Sequence, residues 1–135
     1  MGKWYAYMIP VFLVLLLAGC SAGKDKAEKL RDVEFTVIKP EDVPEEMKKL
    51  IEEEKEEPFR LTYADEGYLY IAQGYGKKDT SGYSVQVEDC YETENTICIK
   101  TNLEGPPKEE EPVEKNTYPY VVIKTEYIEK NVVFD

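Results

Sequence analysis

The sequence contains no histidine, only three cysteines and a single tryptophan among its 135 residues. Without histidine the chain cannot build a Ser–His or Cys–His nucleophile pair, and imidazole is not available as a general base. Zinc sites of the Cys/His type are excluded because the ligands are missing. We therefore expect no catalytic residue, no metal or cofactor site, and a protein that is not an enzyme.

One kind of catalysis does not require histidine. A pair of carboxylates can carry out glycosidase chemistry, but 28 acidic residues offer many accidental pairs and the sequence marks out none of them. A pocket that holds two close acids, one of them removed from water, would support this alternative. A convex charged surface would argue against it.

Basic residues are scarce relative to acidic ones. Seventeen Lys and Arg stand against 28 Asp and Glu, which gives a formal net charge of -11. Such a surface repels phosphate backbones, which proteins bind through positive patches. We therefore expect no nucleic-acid partner and no non-specific adhesion to anionic lipid. Excess negative charge most often serves solubility.

A long apolar run occurs only at the start of the chain. Residues 1–19 combine a basic start at Lys3, an apolar run from Met8 to Ala18 and small residues at the end. An apolar core of about 7–15 residues is typical of a secretion signal, whereas a transmembrane helix needs about 20. The segment is therefore predicted to be a signal peptide.

The end of this segment, Leu17-Ala18-Gly19-Cys20, resembles the lipobox of bacterial lipoproteins. The resemblance implies that Cys20 receives a diacylglyceryl thioether and becomes the N-terminus after cleavage. Two acyl chains of the palmitate type give lasting attachment, where one chain is marginal. We therefore expect a lipoprotein anchored on the extracytoplasmic face of the cell membrane. The alternatives are an ordinary secretory signal with a chance cysteine, or an uncleaved anchor.

The rest of the chain divides into a short tether and one domain. Residues 20–32 begin with the lipidated cysteine and continue as a small, polar, flexible tether. Residues 33–135 are predicted to form an α+β domain, a mainly antiparallel β-sheet of about seven strands with one helix packed on it. Alternating apolar residues predict strands at 33–39, 59–63, 68–74, within 82–103 (two strands), at 118–125 and at 132–134.

The helix is predicted from apolar residues at helical spacing. Val43, Met47, Leu50 and Ile51 fall on one face, acids occupy the first turn, and Pro58 ends the helix. A tight turn is expected at 64–67, where Gly67 can adopt a positive φ.

The two strands within 82–103 are predicted to form a hairpin with Thr93-Glu94-Asn95 as its loop. This register opposes Tyr91 to Ile97, Val87 to Thr101, Val85 to Leu103, Glu88 to Lys100 and Gln86 to Asn102. It also places Cys90 opposite Cys98. A disulfide there would require a non-hydrogen-bonded pair and some strain, and export favours it. Two separate thiols are the alternative.

Eleven tyrosines are the other unusual feature of the composition. Tyrosine has an apolar body and a polar tip, so it suits both the edge of a core and protein contacts. Core-edge packing accounts for most of them. A subset beside the loops around 74–84 and 104–117 is predicted to contact a partner: Tyr75, Gly82, Tyr83, Tyr118 and Tyr120.

The segment Thr80-Ser81-Gly82-Tyr83-Ser84-Val85 follows Gly74-Tyr75-Gly76 and precedes Gly105-Pro106-Pro107 and the run 118–123 (YPYVVI). Together these residues resemble the C-terminal domain of the protease complex subunit PrcB family, over residues 33–135. The family motif is closer to Thr-Gly-Gly-Tyr-Ser, so the backbone at Ser81 is expected to be less unusual here. The resemblance implies a lipoprotein that associates with and stabilises an extracellular protease without catalysis.

Two non-catalytic functions follow from these observations. The first is a membrane-tethered module that binds an extracellular protease or another envelope protein through edge strands or loops. The second is a structural lipoprotein of the cell envelope or spore without a dedicated partner. Specific capture of a partner would distinguish the first from the second.

Overall fold

The computed structural model describes residues 28–135. The signal peptide, Cys20 and most of the tether lie outside the described residues, so those predictions stay predictions. The described part contains ten strands and one α-helix, with a 3-10 turn at Pro40–Asp42. The elements are β1 Arg31–Asp32, β2 Thr36–Val37, α1 Glu45–Glu54, β3 Pro58–Asp65, β4 Tyr68–Tyr75, β5 Lys78–Thr80, β6 Ser84–Glu92, β7 Thr96–Glu104, β8 Glu114–Thr117, β9 Tyr120–Glu126 and β10 Asn131–Phe134.

The protein is mostly β with one helix, as predicted, but the prediction of one sheet with about seven strands is wrong. Sheet 1 has the strand order β1-β6-β7-β10, and sheet 2 has the order β2-β9-β4-β3. A separate ribbon joins β5 to β8. Neighbouring strands are antiparallel except β10, which runs parallel to β7. Within residues 28–135, no helix has the length and hydropathy required to span a membrane.

The two sheets and the helix form three layers with two cores. Sheets 1 and 2 share the first core, and the helix covers the opposite face of sheet 2. Strands β4 and β9 are therefore buried on both faces, which explains their nearly continuous apolar sequences. The first core contains Val33, Leu69, Ile71, Cys90, Ile97, Ile99, Val121 and Ile123. The second contains Val43, Met47, Ile51, Phe59, Tyr70, Ala72 and Val122.

The predicted helix is confirmed, with a narrower buried face than expected. Met47 and Ile51 are buried, whereas Leu50 keeps 38% of its surface exposed. Each fully buried aliphatic side chain contributes roughly 1.5–3 kcal/mol relative to leaving it in water. Glu45 and Glu46 in the first turn complement the helix dipole.

The predicted strand at 33–39 is wrong because the chain changes sheets there. Arg31 pairs with Glu92 in sheet 1, and Thr36 pairs with Lys124 in sheet 2. Between these two short strands, Val33 enters the first core with only 6% of its surface exposed. The alternation in the sequence therefore reflects burial along a crossing segment.

The hairpin register is correct at its open end and wrong beyond a β-bulge. Val87 lies opposite Thr101 as predicted, but the register shifts between Val87 and Asp89. Cys90 therefore lies opposite Ile99, and Cys98 lies opposite Tyr91. Side chains of opposed residues share a face, so the two cysteines point to opposite faces.

The two thiols are free, and the register that supported a Cys90–Cys98 disulfide is wrong. The cause lies at the turn. Thr93 N donates to Thr96 O at 2.8 Å, which shortens the predicted three-residue loop to Glu94-Asn95. The buried Thr93 hydroxyl accepts from Thr96 N at 3.0 Å and fixes this turn. The bulge then absorbs the extra residue.

Two predicted loops contain secondary structure that the sequence analysis missed. Lys78–Thr80 and Glu114–Thr117 pair as the two-stranded ribbon. At the other end of sheet 2, the predicted tight turn is confirmed at Glu66-Gly67, where φ is 50° and 84°. Both residues are left-handed, as a two-residue hairpin turn requires.

Candidate functional site

A cleft of about 260 Å³ opens on the side of the molecule where the N-terminal segment crosses between the sheets. We name it the Tyr83–Tyr120 cleft. Its walls come from three parts of the chain: the crossing segment, the start of β6 and the start of β9. The principal lining residues are Val37, Ile38, Pro40, Tyr83, Pro119 and Tyr120.

One wall of the cleft is a free edge of sheet 2. Strand β2 ends at Val37, although Ile38 N still donates to Val122 O at 3.0 Å. Continuing this register would bring Pro40 opposite Tyr120, but proline has no N–H and opens the 3-10 turn. Tyr75 N donates to Pro119 O at 3.1 Å. Since bonding alternates along a strand, the backbone of Tyr120 faces away from β4, towards the cleft.

The opposite wall is a free edge of sheet 1. Strand β1 pairs only with Tyr91 and Glu92. Among the described residues, the part of β6 from Ser84 to Asp89 therefore pairs with β7 alone. Val37 beside it keeps 54% of its surface exposed. The cleft thus combines exposed apolar side chains with backbone groups on both walls.

The loop around Gly82 positions Tyr83. Gly82 has a φ of 97°, and a Cβ atom there would lie 2.8 Å from Cβ of Pro106. Ser81 has no positive φ, as expected from the sequence. Its hydroxyl accepts from Val113 N at 2.9 Å, and Ser81 N donates to Val113 O at 2.9 Å. These bonds tie the two loops together beside the cleft.

Three of the five predicted contact residues lie at this site. Tyr83 and Tyr120 line the cleft, and Gly82 precedes Tyr83 in the chain. Tyr75 points into the space between the sheets, with its hydroxyl 2.5 Å from Thr101 Oγ1. Tyr118 lies under the Lys55 ammonium, 4.5 Å from the ring centroid, near the end of the helix. The role of these residues as partner contacts stays a prediction.

Sequence reasoning missed the contribution of the crossing segment. The predicted strand at 33–39 includes Val37 and Ile38, and Pro40 follows it. Nothing in that prediction places these residues beside Tyr83. The available signal was Pro40 itself. Proline following a strand leaves the neighbouring edge without a donor, and such an edge remains open.

An ion-pair cluster around the largely buried Glu92 holds the crossing segment on sheet 1. Arg31 Nε lies 2.7 Å from Glu92 Oε1, and Lys130 Nζ lies 2.6 Å from Oε2. Lys130 also donates to Thr93 O at 2.8 Å. The Lys130 hydrogen bond, assisted by Arg31, lowers the pKa of Glu92 although burial opposes this. This cluster of Arg31, Glu92 and Lys130, which we name the Glu92 latch, lies beside Val33 and has a structural role.

Within residues 28–135, the thiols and acids show no arrangement typical of a catalytic centre. Burial raises the pKa of the Cys90 thiol to about 11, so it stays protonated and unreactive near neutral pH. A larger, open cleft of about 950 Å³ lies across the crossing segment from the first. Its acids, Asp32, Glu34, Asp42 and Glu126, are all exposed to water. No group of three or more metal-ligating side chains occurs within residues 28–135.

Residues 69–126 match a family model described as PrcB C-terminal. No curated protein and no solved structure matches the chain. The matched segment runs from β4 to the end of β9, so it includes the β5–β8 ribbon, the β6–β7 hairpin and both tyrosines of the cleft. The segment that builds most of the candidate site is therefore similar to the PrcB C-terminal family.

Proposed function

We propose that this protein is an extracytoplasmic lipoprotein, anchored through Cys20, whose domain acts as a non-catalytic protein-binding module. The partner class is an extracellular protease, which the module holds and stabilises. The PrcB C-terminal match supports an accessory role in a protease complex. The lipobox-like sequence at 17–20 and the absence of histidine support the anchor and the lack of catalysis.

The observation that carries this proposal is the Tyr83–Tyr120 cleft. It offers two free strand edges and apolar side chains within the matched segment. Aromatic residues on a rigid frame are favoured at the centre of protein interfaces. The hydrogen bonds of Ser81 and the close fit of Gly82 against Pro106 supply that frame.

A photocrosslinking experiment in the native host tests the proposal. A photoreactive phenylalanine analogue replaces Tyr83 in one strain and Tyr127 in another. Tyr127 is the matched control, since it is 49% exposed and lies away from the cleft. We expect the analogue at position 83 to crosslink a secreted protease, identified by mass spectrometry, and the analogue at 127 to give no such product.

The same strains distinguish the alternative function. A structural envelope lipoprotein without a dedicated partner predicts equal, weak crosslinking at both positions. It also predicts unchanged protease levels when the lipoprotein is deleted. Either result would contradict the binding module, whereas lower protease abundance in the deletion strain would support it.

A further inference from the structure

Strand β3 presents the longest free edge in the described part of the chain. It runs for eight residues at the end of sheet 2 and pairs with β4 alone. Edges of this length are templates for pairing with another chain, and natural proteins usually shorten, cover or charge them. Here no covering segment occurs among the described residues.

The hydrogen-bond alternation shows which residues of β3 face outward. Tyr75 N bonds to β9, so the odd-numbered residues of β4 bond β9 and the even-numbered ones bond β3. The register of β3 and β4 pairs those even residues with odd residues of β3. The N–H and C=O groups of Arg60, Thr62 and Ala64 therefore point away from the sheet. Three alternate residues are therefore available to pair with an added strand.

One side of this edge borders the helix. Phe59, Leu61 and Tyr63 turn their side chains towards the second core under α1. Glu46 lies close enough to Tyr63 to add to the rise in its pKa, which burial mainly causes. Leu50, one turn further along, is on the same side of the helix and is 38% exposed. The free strand edge therefore lies beside the partly buried apolar side chains of Leu61 and Tyr63.

The helix that borders this strand edge, with the turn that follows it, is strongly negative. Residues 45–57 contain seven glutamates and three lysines, and two of those lysines already pair with Glu45 and Glu52. Asp65 and Glu66 follow at the far end of β3. Arg60 is the one cation of β3, and it turns to the other face, 5.4 Å from the Phe134 ring. A basic occupant would meet little repulsion on the helix side.

We propose that the β3 edge is a second docking surface, at which a partner protein adds an extended basic segment to sheet 2. Main-chain bonds to Arg60, Thr62 and Ala64 supply pairing, as in other cases of strand addition. Lysine or arginine side chains on the helix side lay their stems over Leu61 and Tyr63 and reach Glu46. Small or apolar side chains occupy the opposite face. This surface is separate from the Tyr83–Tyr120 cleft.

Amide hydrogen exchange of the full-length chain, followed by NMR, tests the pairing. The probe is an eight-residue peptide of alternating valine and lysine, with a valine–glutamate peptide as its control. We expect the amides of residues 60, 62 and 64 to exchange quickly in the free protein. The basic peptide should slow them at least tenfold while residues 59, 61 and 63 stay unchanged. The acidic peptide should have no effect.

Two charge variants sharpen the test. Glu46→Lys should weaken peptide binding about threefold, the effect of one reversed charge near a partly screened pair. Glu41→Lys makes the same change in the 3-10 turn and should bind the peptide normally. Retained protection of residues 61 and 63 shows that each variant is folded. Equal weakening by both variants, or protection without the alternating pattern, would overturn the proposal.

The test also separates this surface from the cleft. Tyr83→Ala should leave peptide binding at β3 unchanged. Protection of the β3 amides together with failed crosslinking at position 83 would contradict the proposed function alone. Protection appearing at Ser84–Asp89 in place of β3 would assign the peptide to the cleft and refute the inference.

Discussion

The two sides of the β-sandwich differ in how far their strand edges are covered. On one side, the N-terminal segment places β1 against β6 and β2 against β9, with two residues in each strand. On the other side, nothing in the described part of the chain pairs with the outer edge of β3. An uncovered edge invites pairing with other chains, so both sides need protection. One side is protected by a covering segment, whereas the edge of β3 carries only Pro58 and Arg60 as residues that disfavour pairing.

The two sides are therefore expected to differ in what exposes their strand edges. The covered side depends on residues 31–38, the first two of which belong to the predicted tether of residues 20–32. The Glu92 latch and the buried Val33 hold that cover in place. The β3 side needs no rearrangement to expose its edge. Substitutions matched between the two sides measure how much each contributes to stability.

The largest effect is expected from a charge introduced under the cover. Val33→Asp places a carboxylate among the apolar side chains of the first core, where Val33 is 6% exposed. We expect the free energy of unfolding to fall by about 3–5 kcal/mol, typical of a buried unpaired charge. Urea unfolding of the full-length chain, followed by circular dichroism, measures the change.

The matched control for this substitution is Val133→Asp in β10, on the opposite side. Val133 is 42% exposed, so its new carboxylate remains hydrated. The loss should stay below about 1 kcal/mol, as for most surface substitutions. Similar losses in the free energy of unfolding at the two positions would show that burial of the crossing segment contributes no more to stability than an exposed strand residue does.

A smaller, pH-dependent effect is expected from the latch. The pKa of Glu92 is lowered in the folded protein, chiefly by the Lys130 hydrogen bond. Its contribution to stability is therefore present above the ordinary carboxyl pKa of 4.5 and is lost as the pH falls through the folded value. We expect Glu92→Gln to lower the Tm at pH 7 and to have little effect at pH 2.

Amide exchange localises this effect to the covered side. Val33 N donates to Cys90 O, so loosening the latch should speed exchange at Val33 and leave residues 61 and 63 of β3 unchanged. Glu88→Gln is the control, because Glu88 makes only an exposed ion pair with Lys100 at 3.8 Å. A Tm difference between wild type and Glu92→Gln that persists at pH 2 would contradict the linkage.

The sequence predicted the helix, the turn at Glu66-Gly67 and the strands that are buried on both faces. Each of these has a local signal: helical spacing in Met47 and Ile51, a glycine with positive φ, or a continuous apolar run. The division into two sheets has no such signal. Val33 and Val37 alternate as in a strand, although the backbone between them passes from one sheet to the other.

The candidate site was only partly predictable for a related reason. Tyr83 and Tyr120 were identified because they lie beside glycine-rich and proline-rich loops. The residues opposite them, Ile38 and Pro40, reach the cleft through long-range pairing that periodicity does not encode. The predicted hairpin register was wrong near the turn for a similar reason. The Thr93 hydroxyl shortens the turn, and the predicted register returns only beyond the bulge, at Val87 and Thr101.

The smallest perturbation tests that register directly, through the reactivity of the two hairpin thiols. Cys90 faces the first core with 3% of its surface exposed, and burial raises its pKa to about 11. Cys98 lies on the other face and is partly exposed, near Thr96 Oγ1 at 3.5 Å. Because alkylation requires an accessible thiolate, we expect iodoacetamide to modify Cys98 at pH 8 and to spare Cys90 until the protein is unfolded.

Peptide mass spectrometry of the full-length protein assigns the modification to each cysteine, and unchanged Tm values show that labelling leaves the fold intact. Val33→Asp provides the comparison, since opening the covered side should expose Cys90 while Val133→Asp should not. Equal labelling of Cys90 and Cys98 in the native wild type would place both thiols on one accessible face. That result would restore the unshifted register and remove the bulge that separates the covered part of β6 from its free edge.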